Sequence, residues 1–141
     1  MTVQRRNSRQ RTLILQAVQR SCSHPNAEEI YREVQRQIPQ ISLGTVYRNL
    51  NLLEKSGMIR RIHTGAGSDR FDGILVKHPH FVCSCCKRVF DLAYKEIVPE
   101  QLAGMFCADG SEIREIQIQA LGICRDCLKS GQTLNHLQSE K

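Results

Sequence analysis

An α+β protein built from two small modules is predicted. The first is an N-terminal winged helix-turn-helix domain, and the second a small C-terminal α/β dimerisation domain with a four-cysteine zinc site. Three observations carry this. The first half holds three successive apolar stripes at helical spacing, followed by a hairpin pattern with glycines at its tip. The second half is bracketed by two Cys-x-x-Cys pairs, Cys83/Cys86 and Cys124/Cys127. The chain has 141 residues, no Trp and 5% aromatics, which suits two small cores better than one large one. Residues 1–73 are assigned to the winged-helix domain, 78–134 to the zinc-containing domain and 135–141 to a polar tail, with 74–77 joining the two modules.

In the first half, Leu13, Ile14, Ala17 and Val18 predict a helix over 8–20. Cys22-Ser23-His24-Pro25 breaks it. Asn26 is the next N-cap, with Glu29 three residues on in a capping-box pattern. Ile30, Val34 and Ile38 then give an amphipathic helix over 27–37 that Pro39 stops. Ser42 caps a third helix with Val46, Leu50 and Leu53 as its stripe and Gly57 at the C′ position. Thr45, Tyr47, Arg48, Asn49 and Asn51 fall off that stripe. Arginine and asparagine can read base edges, while serine, threonine and tyrosine can bond phosphates. Ser42, Thr45, Tyr47, Arg48 and Asn51 are therefore the expected DNA contacts. Met58–His63 and Asp69–Asp72 form the hairpin, and its arginines Arg60 and Arg61 are expected along the phosphate backbone. Such a unit docks its third helix in the major groove; a three-helix protein-binding module is the alternative.

In the second half, His80–Val82 and Arg88–Leu92 are short strands flanking the Cys83–Cys86 turn. Val98–Phe106 is expected to be a helix, Ile113–Leu121 a strand-forming run, and Cys124–Lys129 a last helical turn. The free sheet edges suit pairing across a two-fold axis, hence a homodimer.

The formal charge of +6 favours a polyanionic partner such as double-stranded DNA. No apolar run approaches the roughly 20 residues a membrane span needs, and no signal-peptide core follows the basic N-terminus. A cytoplasmic protein without membrane attachment is expected. In that compartment seven cysteines read as metal ligands before disulfides. Four thiolates suit tetrahedral Zn(II) and leave no open coordination position for chemistry. A redox dithiol is the alternative, and Cys85 competes with Cys86 as the second ligand. Cys22 and Cys107 have no partner by spacing.

His78 and His80 share a strand face, and Asp72 and Asp91 lie near them in sequence. Histidine with carboxylate suits Fe(II), Mn(II) or Zn(II), and carboxylate shifts the preference toward the first two.

With these residues in view, the chain resembles the ferric uptake regulator family over nearly its whole length. The resemblance is carried by His24-Pro25-Asn26-Ala27-Glu28-Glu29-Ile30-Tyr31, Ser42-Leu43-Gly44-Thr45-Val46-Tyr47-Arg48-Asn49-Leu50, Arg70-Phe71-Asp72, His78-Pro79-His80-Phe81-Val82-Cys83 and Gly122-Ile123-Cys124-Arg125-Asp126-Cys127. It implies a winged-helix domain, a hinge and a zinc-bearing dimerisation domain, with a regulatory metal between them. Within the family the chain looks most like the peroxide-responsive repressors. That implies a regulatory Fe(II) or Mn(II) on His24, Asp72, His78, His80 and Asp91, where iron sensors usually carry glutamate in place of Asp91. It also implies oxidation of His24 or His78 when Fe(II) meets peroxide, and release from an inverted-repeat operator. On this reading the protein is a sensor, not an enzyme, and metal and peroxide are its only small-molecule signals. An iron- or zinc-responsive repressor without peroxide sensing and a zinc-stabilised interaction module are the alternatives. The chain departs from the family in its short leader, in Cys85, and in Gly73, which is expected to loosen the hinge.

Overall fold

The computed structural model describes residues 3–65, 67–93 and 110–131. They belong to two compact units, Met1–Lys77 with Lys87–Val89, and His78–Cys86 with Phe90–Lys141.

In the first unit, helix α1 spans Val3–Arg20, starting five residues earlier than its apolar stripe suggests. Nothing between Val3 and Ser8 breaks a helix, and arginine and glutamine propagate one well, so the arginine-rich arm is itself helical. Helix α2, Ala27–Gln35, is shorter than predicted. It opens on the expected capping box: the Glu29 N–H donates to Asn26 Oδ1 and the Asn26 N–H to Glu29 Oε2, both at 2.9 Å. Helix α3, Leu43–Lys55, is capped by Ser42, whose hydroxyl accepts from the Thr45 N–H at 3.1 Å. Gly57, at φ 70°, takes the left-handed turn that ends it. Strands β1 (Arg60–Ile62) and β2 (Arg70–Asp72) pair antiparallel as the wing, with Arg61 opposite Phe71.

The three helices and β2 close on Ile14, Val18, Ile30, Val34, Val46, Leu50, Leu53, Ile59 and Phe71, each at most 2% exposed. Burying such a side chain contributes about 1.5–3 kcal/mol, so this unit has a hydrophobic core of its own. Gly73 leaves β2 against α1, and a Cβ there would sit 2.9 Å from Gln19 Cα. The residue expected to add slack is thus the one that lets the chain pass closely over the helix. Gly73→Ala is expected to destabilise this unit by about 1–3 kcal/mol through overpacking, seen as a lower Tm with zinc content unchanged.

In the second unit, strands β3 (His80–Cys83), β4 (Val89–Asp91, whose first residue groups with the first unit) and β5 (Gln119–Gly122) form a sheet in the order β4-β3-β5. β3 and β5 run parallel, with His80 opposite Gln119 and Cys83 opposite Gly122. Parallel neighbours need a long crossover, which the chain between Asp91 and Gln119 supplies. Strand structure begins only at Gln119; Ile113, Ile116 and Ile118, expected in the strand-forming run, precede it. Helix α4 spans Arg125–Lys129. The predicted helix Val98–Phe106, Cys107 and the tail 135–141 lie outside the described residues. One buried cluster here consists of Cys83, Cys124 and Cys127, with Phe81, Cys85, Cys86 and Ile123 packed on it. Among the described residues no helix is long and apolar enough to cross a membrane.

Candidate metal centres and nucleic-acid surface

The turn after β3 and the start of α4 aim four thiols at one point. Cys83 ends β3 and Cys86 closes the turn, beyond which Lys87 adopts a left-handed φ of 59°. Cys124 is the N-cap residue of α4 and Cys127 lies three positions on, on the same helix face. The Cys83 and Cys127 sulfurs are 3.9 Å apart, and those of Cys86 and Cys124 3.8 Å. Four sulfurs about 2.3 Å from a tetrahedral Zn(II) stand roughly 3.8 Å from one another, so the set has the dimensions of a closed structural zinc site. Cys86 completes it rather than Cys85, which packs beside it half-buried.

The electrostatics agree. Burial raises the Cys83 thiol, but backbone N–H groups of Cys124, Cys86 and Cys85 outweigh it and hold Cys83 down at about 6. The Cys124 and Cys86 bonds measure 3.3 and 3.5 Å. Cys127 is pushed far up by burial and by hydrogen bonding among the neighbouring thiols. Four sulfurs this close can all be thiolates only with a cation among them, which is what a bound Zn(II) supplies. These residues fit zinc.

The histidines and carboxylates form two sets, one in each unit. In the first, His24 Nε2 and Asp72 Oδ1 are 3.8 Å apart and both residues are 3% exposed. His24 has a φ of 49°, a left-handed conformation that is uncommon outside glycine and disfavoured before proline. Such strain costs on the order of 1–3 kcal/mol, so surrounding bonds must hold it. In the second unit, Asp91 Oδ1 lies 2.7 Å from His78 Nε2 and 3.6 Å from His80 Nε2, with the two rings 4.4 Å apart. Nitrogen and carboxylate donors in these combinations fit a regulatory Fe(II), Mn(II) or Zn(II).

The predicted DNA contacts divide. On α3, Arg48 and Asn51 are exposed and Thr45 half-buried. Ser42 and Thr45 share a 2.9 Å hydroxyl bond. Tyr47 Oη donates to Glu28 Oε1 at 3.4 Å; burial first, then Glu28, raises its pKa. Asn49, expected off the buried face, is 3% exposed and donates to the Thr45 carbonyl. It sits three residues after Val46 and so belongs to the core stripe. Arg61 is held within the unit: Nε and NH2 reach Glu54, NH1 reaches Asp69, NH2 reaches Asn51, and its guanidinium lies 5.1 Å over the Phe71 ring. Arg60 is half-buried.

Sequence reasoning gives Arg70 no role beyond its place in the Arg70-Phe71-Asp72 motif. Arg70 is 8% exposed and bonds inward. The signal was present, because Arg70 and Asp72 alternate onto one face of β2.

The model for the ferric uptake regulator family matches residues 2–121. The peroxide operon regulator of Bacillus subtilis (strain 168) is 32% identical over 121 residues, covering 85% of this chain and 82% of that protein. Among solved structures, the Campylobacter jejuni peroxide stress regulator superposes with a TM-score of 0.72 at 28% identity, over 90% of this chain and all of that one. The Vibrio cholerae ferric uptake regulator, whose structure reveals a rearrangement of its DNA-binding domains, gives 0.64 at 28% identity over 88% of this chain and 91% of its own.

Proposed function

The chain belongs to the ferric uptake regulator family, and from that premise we propose that it is a homodimeric, metal-dependent repressor that leaves its operator when peroxide oxidises a metal-ligating histidine. The observation that carries the reading is the donor chemistry: His24 beside Asp72 in one unit, and His78 and His80 around Asp91 in the other. One Fe(II) or Mn(II) shared by the two sets would make the arrangement of the DNA-binding and dimerisation domains depend on metal. The likeness to a peroxide operon regulator and a peroxide stress regulator supports peroxide as the signal, and the domain rearrangement of the Vibrio cholerae protein supports a movable DNA-binding domain.

Bound Fe(II) supplies the one-electron chemistry by which peroxide attacks an adjacent imidazole; Mn(II) does not do so readily. The chain's part is to present His24 and His78 as the rings at risk. The four-cysteine site stays structural, and the protein acts as a regulator rather than an enzyme. Homodimerisation is supported by β5, an edge strand among the described residues, on which Leu121 is 69% exposed.

For DNA, α3 offers Arg48 and Asn51 as base readers and Thr45 for a phosphate. With Arg61 engaged internally, backbone charge falls to α1. Arg5, Arg6, Arg9 and Arg11 are all exposed there, on a helix without a single acidic residue. Each phosphate that is no longer neutralised lowers the log–log salt slope by about 0.9. Replacing Arg5 and Arg9 together by alanine removes both contacts from each protomer of the homodimer and is expected to lower it by about 3.6 on that scale, read from binding titrations at several salt concentrations.

The test of the function is operator binding by the Fe(II) and Mn(II) forms before and after peroxide, with intact mass recorded on the same samples. Metal-dependent binding that peroxide never relieves would leave a plain iron- or zinc-responsive repressor. No operator binding under any metal would leave an interaction module.

A further inference from the structure

The strained backbone at His24 needs something to hold it, and one buried side chain is placed to do so. Arg70 NH1 donates to the His24 carbonyl at 2.9 Å and to Glu29 Oε2 at 3.1 Å, while its Nε donates to the Lys87 carbonyl at 3.1 Å. Glu29 Oε2 also receives the Asn26 N–H that closes the capping box of α2. The Phe71 N–H donates to the Pro25 carbonyl at 3.0 Å, and Asn26 bridges Arg70 through the backbone. Residues 24–26 are thus fastened from both sides, by β2 through its backbone and by the Arg70 head through its fork.

We infer that Arg70 is a positioning residue for the regulatory metal: it fixes the left-handed turn that points His24 toward Asp72. The inference rests on the reading of His24 as a metal ligand. A guanidinium suits the task because its rigid fork reaches three carbonyl or carboxylate acceptors at once and stays charged at any relevant pH. Charge-assisted bonds to a carboxylate and to a backbone carbonyl are also the strong class of hydrogen bond. Lysine keeps the charge toward Glu29 but cannot span the His24 and Lys87 carbonyls together. The third acceptor adds a consequence, because Lys87 directly follows the zinc ligand Cys86 in the chain. The carbonyl that anchors Arg70 therefore lies one residue beyond the turn that the zinc site closes, so loss of zinc should loosen that anchor as well.

Arg70 touches neither the metal nor DNA in this scheme, so its loss should change metal affinity and not the affinity of the metal-saturated repressor for its operator. Mn(II) serves as the probe, with His24→Ala, Arg70→Met and Arg70→Lys in the full-length zinc-loaded protein. Arg70→Met is expected to raise the Mn(II) Kd about ten- to a hundred-fold, the usual consequence of losing a group that orients a ligand. Saturating Mn(II) is expected to restore operator affinity to the wild-type value, which a direct role in DNA binding would not allow, while an unchanged circular dichroism spectrum before Mn(II) is added excludes a general folding defect. Arg70→Lys should lie between, and it carries the test if Arg70→Met does not fold. A folded Arg70 variant with wild-type Mn(II) affinity overturns the inference, provided His24→Ala has lost the metal. If His24→Ala itself binds Mn(II) normally, the regulatory-site reading fails first, and the two failures are told apart.

Discussion

Hydrogen peroxide is expected to add one oxygen atom to His24 or His78 of the Fe(II)-loaded protein and to abolish operator binding, while the Mn(II)-loaded protein keeps its mass and its affinity. The two rings are held differently. His24 is buried and locked by its turn, beside the equally buried Asp72. His78 is more open, its side chain 13% exposed, and is oriented by the 2.7 Å contact with Asp91. Oxidation converts a ring nitrogen donor into a poorer ligand, so the preference of the metal for the DNA-competent arrangement falls. Moving a two-state equilibrium from 99:1 to 1:99 takes a differential affinity of about 10⁴-fold, and that is the change that loss of the ring nitrogen has to produce. The measurement is intact and peptide mass spectrometry alongside operator titration. His24→Ala and His78→Ala are expected to lose both metal-dependent binding and the oxygen gain at the replaced position. If peroxide releases the Mn(II) form as readily as the Fe(II) form, histidine oxidation is not the switch. The thiols of Cys85 and Cys107 then become the place to look for oxidation.

What the sequence showed of this molecule depended on how local the physics was. The helix caps at Asn26 and Ser42 were readable because a cap is a contact over three residues. The thiol cluster was readable for a similar reason: each Cys-x-x-Cys pair is fixed by its own turn, and only the meeting of the two pairs is tertiary. Asn49 shows the opposite error. Its chemistry suggested a base reader, although its position three residues after Val46 placed it on the buried face. Arg61 is read as phosphate-binding from its charge, and Arg70 is given no role beyond the family motif. Their internal partners, Glu54 and Asp69 for one and the His24 carbonyl and Glu29 for the other, come from elements up to 46 residues away. No local pattern announces such pairings. The left-handed conformation of His24 was equally hidden, because the Arg70 fork and the bonds of β2 that hold it come from far along the chain.

Removing one thiol from the zinc site is expected to have the largest structural effect of any single substitution. The first unit can rely on a wide apolar core, but a buried cluster of the second consists of the ligand thiols themselves with Phe81 and Ile123 packed around them. Structural zinc contributes roughly 10–16 kcal/mol in small zinc-folded units, against a typical net stability of about 5–15 kcal/mol for a whole domain. Losing a ligand therefore offsets most or all of the margin of this unit. Cys124→Ser should reduce zinc below one per chain, abolish the dimer and unfold the second unit, while the helices of the first persist in circular dichroism. Cys85→Ser is the control: Cys85 lies against the cluster outside the set of four, so zinc content and Tm should stay close to wild type. The informative comparison is between these two variants and the double substitution. A zinc-loaded, dimeric Cys124→Ser that collapses only when Cys85 is also replaced would mean that the fifth thiol can take over a coordination position. A Cys124→Ser that stays folded and fully loaded in both backgrounds would sink the four-cysteine site itself, and with it the idea that this metal, rather than apolar burial, holds the second unit together.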